Sequence, residues 1–369
     1  MILAIPILLA AARPHLLPRP ASVPETAPLA IRADRILLAD GKSIANGVIL
    51  VEDGKIAGVG IDVAVPEDAV VVRHEGTASA GLVALHSYAG SPSEMFDSTR
   101  SVLADARVAR AFDPANQDFA DAMRAGITSL VLAPIPASVC SGTSALVKTA
   151  GGTIVREEAQ LSLGFSARSL RNNRFPTSSG GAIAELDRLF EDPSGAFERA
   201  AGKKLPVLLE VQSREDVARA VAFAERHELT GAVSGAEWAG ELAPAIHAAG
   251  LSVVCGPLRV GEERRDLLAV LALEKAGVPF GFAIDAPANH PSILRTGVAL
   301  CLREGLGRAA AWRALTSDAA RIAGGEGRIG DLAKGLDADI VLWSGDPLDL
   351  ASGVKAVYVD GKLAWREAP

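Results

Sequence analysis

Aromatic side chains are scarce in this chain, with 4 Trp, 2 Tyr and 10 Phe among 369 residues. That scarcity argues against an aromatic stacking platform for bases. Cysteine is scarcer still. Cys140, Cys255 and Cys301 are far apart, odd in number and form no Cys-x-x-Cys pair. Neither a zinc knuckle nor a disulfide framework follows from them, and they read as small buried hydrophobes. Basic runs are also missing: 37 Lys and Arg stand against 44 Asp and Glu, a net charge of −7. Nucleic acid is therefore excluded as a partner, because neutralising phosphates takes a concentrated basic surface. No stretch is long and apolar enough for a stable membrane span.

What is present is 49% hydrophobic sequence, enough for one large core and a smaller one. Ile2 to Ala12 forms an apolar run ending in Ala10-Ala11-Ala12, followed by Pro- and Ala-rich sequence to Pro28. Residues 1–28 read as an export leader and linker, which predicts a periplasmic or extracellular protein. The usual basic n-region is absent, and a misassigned start would return the chain to the cytoplasm.

From Leu29 the pattern alternates apolar and polar positions, punctuated by Asp40-Gly41 and Asp53-Gly54. Such turns join antiparallel strands, since Gly supplies the positive φ of a tight hairpin. The middle of the chain changes rhythm. Apolar runs at Leu82–Leu85, Thr128–Ala133, Ala145–Lys148, Leu161–Phe165, Val207–Val211, Gly231–Val233, Ser252–Cys255 and Pro279–Ile284 alternate with amphipathic patterns. The clearest helical patterns run from Arg214 to Leu229, Glu237 to Gly250 and Glu263 to Gly277. Eight such strands fit an α/β fold with a parallel, closed (β/α)8 TIM-like barrel. The tail is β again, with Ala338 to Gly345 and a hairpin at Asp360-Gly361. The expected organisation is a barrel over 77–325 and a small β-sandwich formed by the N- and C-terminal segments, 29–76 plus 326–369.

The closing segment GRIGDLAKGLDADIVLWSGDPLD, Gly327 to Asp349, resembles that of the amidohydrolase superfamily, the imidazolonepropionase and dihydroorotase relatives in particular. Its Gly-x-Asp-Ala-Asp before an apolar strand, and the later Gly-Asp-Pro, carry the likeness. VILVEDGKIAGVG is similar to that family's opening hairpin, AGLVALHSYAG to its first barrel strand and DFADAMRAGITSLVLAP to its next helix and strand. The resemblance implies a site at the C-terminal ends of the barrel strands. It also implies His-x-His on strand one, Lys or Glu on strand four, His on strands five and six, and Asp on strand eight. Those ligands would hold divalent metal that activates a water.

This chain departs from that pattern. His86 keeps the first His, but Tyr88 replaces the second and Ala84 the preceding acid. Glu210 and Ser234 stand where the strand-five and strand-six His are expected, with Glu237 three residues beyond Ser234. Strand four offers no Lys or acid, and only Asp285 remains on strand eight. Six histidines exist, and only His86 and His290 can reach the mouth, so a four-His binuclear centre is excluded. Two outcomes stay open: one divalent ion, zinc first, on His86, Glu210 and Asp285, or no metal. In the second, His86 hydrogen-bonds Asp285, and Glu210 meets an Arg or water.

Arg168, Arg171 and Arg174 follow the fourth strand and either clamp a carboxylate or form a solvated loop. Tyr88, Ser234, Glu237 and His290 complete the candidate ligand-binding set. No Ser-nucleophile elbow or phosphate loop occurs. The expected function is hydrolysis of non-peptide carbon–nitrogen bonds in small amides or cyclic amides, with Asp285 moving the proton. The rival is a non-catalytic protein that binds a small molecule in the barrel mouth, or pairs with itself or with an intact paralogue.

Overall fold

The protein was analysed as a computed structural model describing residues 27–91, 97, 99–235 and 238–368. The leader expected over 1–28 lies almost wholly outside the described residues, and so does Glu237. No helix among the described residues is long and apolar enough to cross a membrane.

The chain opens with β1 (Leu29–Leu37), β2 (Ser43–Glu52), β3 (Lys55–Gly60) and β4 (Val70–Ala80). The turn between β2 and β3 places Asp53 at φ 48° and Gly54 at φ 75°. Two successive positive φ values match the right-handed twist of a tight hairpin, as Asp-Gly predicts. At the other end come β15 (Ile340–Trp343), β16 (Val354–Val359) and β17 (Lys362–Arg366), the last two turning at Asp360-Gly361. Both sets join in one seven-stranded sheet, ordered β17-β16-β15-β4-β1-β2-β3. The terminal segments thus share one sheet, and β4 carries it past residue 76 to Ala80.

Between them lie β5 (Leu82–Ser87), α1 (Gln117–Arg124), β6 (Ile127–Leu132), β7 (Cys140–Thr143), β8 (Ala145–Lys148), β9 (Ile154–Arg156) and β10 (Leu161–Gly164). Next are α2 (Ser179–Glu191), α3 (Ala196–Ala201), β11 (Val207–Glu210), α4 (Arg214–Arg226), β12 (Gly231–Ser234), α5 (Ala243–Ala248) and β13 (Ser252–Cys255). The series closes with α6 (Arg264–Ala276), β14 (Phe280–Phe282), α7 (Ile293–Glu304), α8 (Arg308–Leu315) and α9 (Ser317–Ile322). One sheet runs β14-β13-β12-β11-β10-β7 and another β5-β6-β8-β9. They meet at Ser144, between β7 and β8. At the far side, Ile284 N and Asp285 N donate to His86 O at 3.0 and 3.2 Å. The arrangement is a TIM-barrel-like α/β fold.

Two expectations need correction. The third strand region is not parallel: β7 runs antiparallel to β10, and β8 antiparallel to β6. Residues 133–160 contain no helix, the element that usually carries the crossover between parallel strands. The helix expected from Glu237 to Gly250 shrinks to Ala243–Ala248, with Pro244 in its first turn. Proline lacks the N–H that a helix extending further back would need there.

Inward and outward positions alternate along the strands, as period two requires. Leu208, Ala232 and Val254 pack in one interior cluster, while Leu209, Val233 and Val253 pack beneath the helices. Gly231 marks a tight approach of two strands. It has φ 151°, and a Cβ there would lie 2.0 Å from Val207 O. Gly231→Ala is expected to cost about 3 kcal/mol or more, read by urea unfolding; a wild-type midpoint would contradict the close approach.

Lys148, wholly buried at the end of β8, ties the two parts together. Its Nζ lies 2.9 Å from Asp337 Oδ2, 2.8 Å from Asp339 Oδ2 and 2.8 Å from Asp360 Oδ1. The two Asp residues of the Gly-x-Asp-Ala-Asp motif therefore serve an ionic joint.

Candidate active site

The site forms where β5, β11 and β12 end and where the segment after β14 turns back over them. Pairing of β5 with β6 slips between Ala84 and Ser87. Such a slip breaks the strict alternation and re-aims the side chains beyond it. Leu85 stays in the interior cluster, yet His86 also reaches the axis, with its Nε2 3.8 Å from Glu210 Oε1. Glu210 shares the inward face of β11 with Leu208, and it pairs in register with Ser234 of β12.

Asp285 approaches from the other side. It sits at φ 47°, a left-handed conformation uncommon for residues other than Gly, Asn and Asp. Two hydrogen bonds hold this turn: Tyr88 N donates to Ala286 O at 2.8 Å, and Asn289 Nδ2 to Ile284 O at 3.0 Å. The turn sets Asp285 Oδ1 2.7 Å from His86 Nδ1. The imidazole therefore lies between two carboxylates, one at each ring nitrogen.

Burial alone would push the His86 imidazole down, but the hydrogen bond and charge of Asp285, backed by Glu210, hold it above its usual value. Burial pushes the Glu210 carboxyl up, against the pull of His86, and Asp285 adds to the rise while Arg168 and Ser234 oppose it. The Tyr88 phenol is pushed up by burial and then by both carboxylates, so it stays neutral. Its ring meets His86 edge-on at 5.0 Å. His86 Nε2 and Glu210 Oε1 lie within ion-pair range but beyond hydrogen-bonding distance, and both are buried without a hydrogen-bond partner.

The Arg loop does not converge on the site. Arg174 donates to the carbonyls of Asp97 and Ala137 at 2.8 and 2.5 Å, to Arg100 O, and to Ser138 Oγ at 3.0 Å. Arg171 donates to the carbonyls of Arg168 and Leu170. Of these three arginines, Arg168 is the one that lines the cavity containing Asp285. A three-Arg clamp is thus replaced by one Arg on a loop stapled by another. His290 is exposed and pairs with Ser292 Oγ at 2.9 Å, away from the residues lining that cavity. Elsewhere, His74 lies within hydrogen-bonding distance of Trp343 O, and His227 of Asp187.

The cavity has a volume of about 320 Å³. Its wall after β13, from Cys255 to Arg259, and its α6 wall were missed by sequence reasoning. The Gly256-Pro257 pair directly after an apolar strand was the available signal.

The resemblance implies a divalent metal, and the donor geometry tests it. His86 Nε2 and Glu210 Oε1 face one space, but Asp285 is engaged at the opposite ring nitrogen. The three do not converge, and no cluster of three or more His, Cys, Asp or Glu able to hold a metal occurs among the described residues. Tyr88, kept neutral, does not supply a third donor. The donors described fall short of the three protein ligands that catalytic zinc ordinarily takes.

The amidohydrolase family model matches residues 196–364. No curated protein matches the chain. Among solved structures, an amidohydrolase from Thermotoga maritima MSB8 superposes with a TM-score of 0.83 at 23% identity, over 92% of this chain and 100% of that one. A prolidase complexed with N-methylphosphonate-L-proline gives 0.61 at 16% identity, over 92% and 100%. An adenosine deaminase from Xanthomonas campestris with bound zinc gives 0.56 at 18%, over 92% and 93%.

Proposed function

We propose that this chain, an amidohydrolase by fold and by the family signature in its C-terminal half, hydrolyses the carbon–nitrogen bond of a small amide or cyclic amide. The observation that carries the reading is the Asp285–His86–Glu210 array, opening through Asp285 onto a cavity of about 320 Å³. Substrate would lie in that cavity with its carbonyl beside Asp285 and a polar group toward Arg168. Asp285 takes the proton of the attacking water and delivers it to the leaving nitrogen. His86 holds Asp285 in place through Nδ1, and Glu210 supports the charge on the imidazole. No step is routed through a metal. In this reading the strands over 77–325 close as a barrel of the (β/α)8 type that is antiparallel at β7 and β8, and the terminal segments form a separate small β-domain. Export of the chain belongs to the same proposal.

A second reading has its own support. Tyr88 and Ser234 occupy two positions where the resemblance expects ligands, which suits a barrel that binds a small molecule without turnover, alone or paired with itself or an intact paralogue.

The deciding experiment assays small amides and cyclic imides on protein dialysed against zinc and then freed of loose ion. Turnover that chelator leaves unchanged, with less than one ion per chain by elemental analysis, is expected. One ion per chain, lost in His86→Ala, would restore a metal mechanism. Ligand-dependent stabilisation without turnover would favour the second reading.

A further inference from the structure

The cavity reached through Asp285 is built asymmetrically. Asp266, Ala269, Val270 and Leu273 recur along one stripe of α6, so a single helix face forms one wall. Only the first of these is polar. Cys255, at the end of β13, and Pro257 and Leu258, just beyond it, also line the space. Burial pushes the Cys255 thiol up, so it is a neutral apolar surface and not a nucleophile. The charged rim is engaged internally: Arg259 meets Asn289 Oδ1 at 2.7 Å, Glu262 accepts from Arg259 N at 3.0 Å, and Asp266 lies 3.3 Å from Arg265 Nε.

Gly256 is one of the residues lining this space. A Cβ built there meets no atom within 4 Å, and its backbone lies outside the left-handed region. A side chain at this lining position would therefore meet no wall. A volume of about 320 Å³ lies at the lower end of small-molecule sites, roughly 300–1,000 Å³. It suits an amide with one short branched chain better than two large substituents.

We propose that the space between the Cys255–Leu258 turn and α6 is the specificity pocket for a neutral, branched aliphatic group on the substrate. Beside Asp285, the walls of Leu258, Val270 and Leu273 accept an acyl chain of about four or five carbons, as each methylene buried there gains affinity. The inference rests on the proposed hydrolysis for its chemistry, but the pocket can be tested by binding alone.

The probes are acetamide and isovaleramide, compared by calorimetry and by kcat/KM on the full chain. Three extra carbons at about 0.8 kcal/mol each predict a preference for isovaleramide of about 50-fold. Gly256→Val, which fills open space, should lower that ratio below about 5-fold while the protein remains folded by circular dichroism. Val270→Ala should act oppositely, raising the ratio of 4-methylpentanamide to isovaleramide about 4-fold. A wild-type ratio near one, a ratio unmoved by Gly256→Val, or binding of neither amide overturns the pocket. The predicted binding ratios without hydrolysis would sustain the pocket and sink the hydrolase. Hydrolysis of both amides at equal efficiency would do the reverse.

Discussion

Lys148→Met is expected to lower stability by about 3–5 kcal/mol, because it leaves the buried Asp339 without its cation, while Asp337 keeps Lys55 and Arg328. Methionine keeps the length and packing of the side chain, so the loss isolates the charge. Asp337 and Asp339 are each 3% exposed, and Lys148 Nζ lies within 2.9 Å of both. Asp360, 42% exposed, contributes less because water screens it. The deficit also depends on pH. Burial pushes the Asp339 carboxyl up to about 6 even though Lys148 pulls it down. In the unfolded chain it titrates near its ordinary value, about 3.9. A folded value raised in this way favours the folded state at low pH, and that contribution is lost as pH rises through about 6. Without Lys148 the carboxyl rises further. The variant's deficit should therefore be larger at pH 8 than at pH 5, where Asp339 carries a proton. Urea midpoints at the two pH values measure this. A deficit below about 1 kcal/mol, or one equal at both pH values, would mean that the joint contributes little.

That joint also explains what sequence reading could and could not see. Gly335 to Asp339 identifies the closing segment by resemblance, yet its chemistry depends on Lys148, almost 200 residues earlier in the chain. Hairpin turns at Asp53-Gly54 and Asp360-Gly361 were legible because a two-residue turn is local and only certain residues tolerate its φ values. The barrel strands were legible as apolar runs, but an apolar run carries no direction. The antiparallel direction of β8 escaped for that reason, and β7, whose sequence is Cys-Ser-Gly-Thr, escaped because it is not an apolar run. His86, Glu210 and Asp285 were found as a set by their places at strand ends. Their order in space was not, since a slip in the pairing of β5 turns His86 and a left-handed Asp285 sets which ring nitrogen it meets. The Arg loop misled because three like residues close in sequence need not share a target. Arg174 takes backbone carbonyls that no local pattern announces.

Asp285→Asn is expected to lower kcat on any hydrolysed amide by about 10²–10⁴, with little change in KM. Asparagine has the same shape, and it tolerates the left-handed φ of 47° that this position requires. Its side-chain oxygen still accepts a hydrogen bond from His86 Nδ1, so the 2.7 Å contact can persist. What disappears is the ability to take a proton from water and return it to nitrogen. A purely structural role for Asp285 predicts the contrary, with lower stability or weaker binding and a rate that survives. The two are separated by measuring kcat, KM and the unfolding midpoint on one preparation. Retention of more than about a tenth of kcat would remove Asp285 from the proton path. The hydrolytic reading would then need another base, and Glu210 is the carboxylate left within reach of His86.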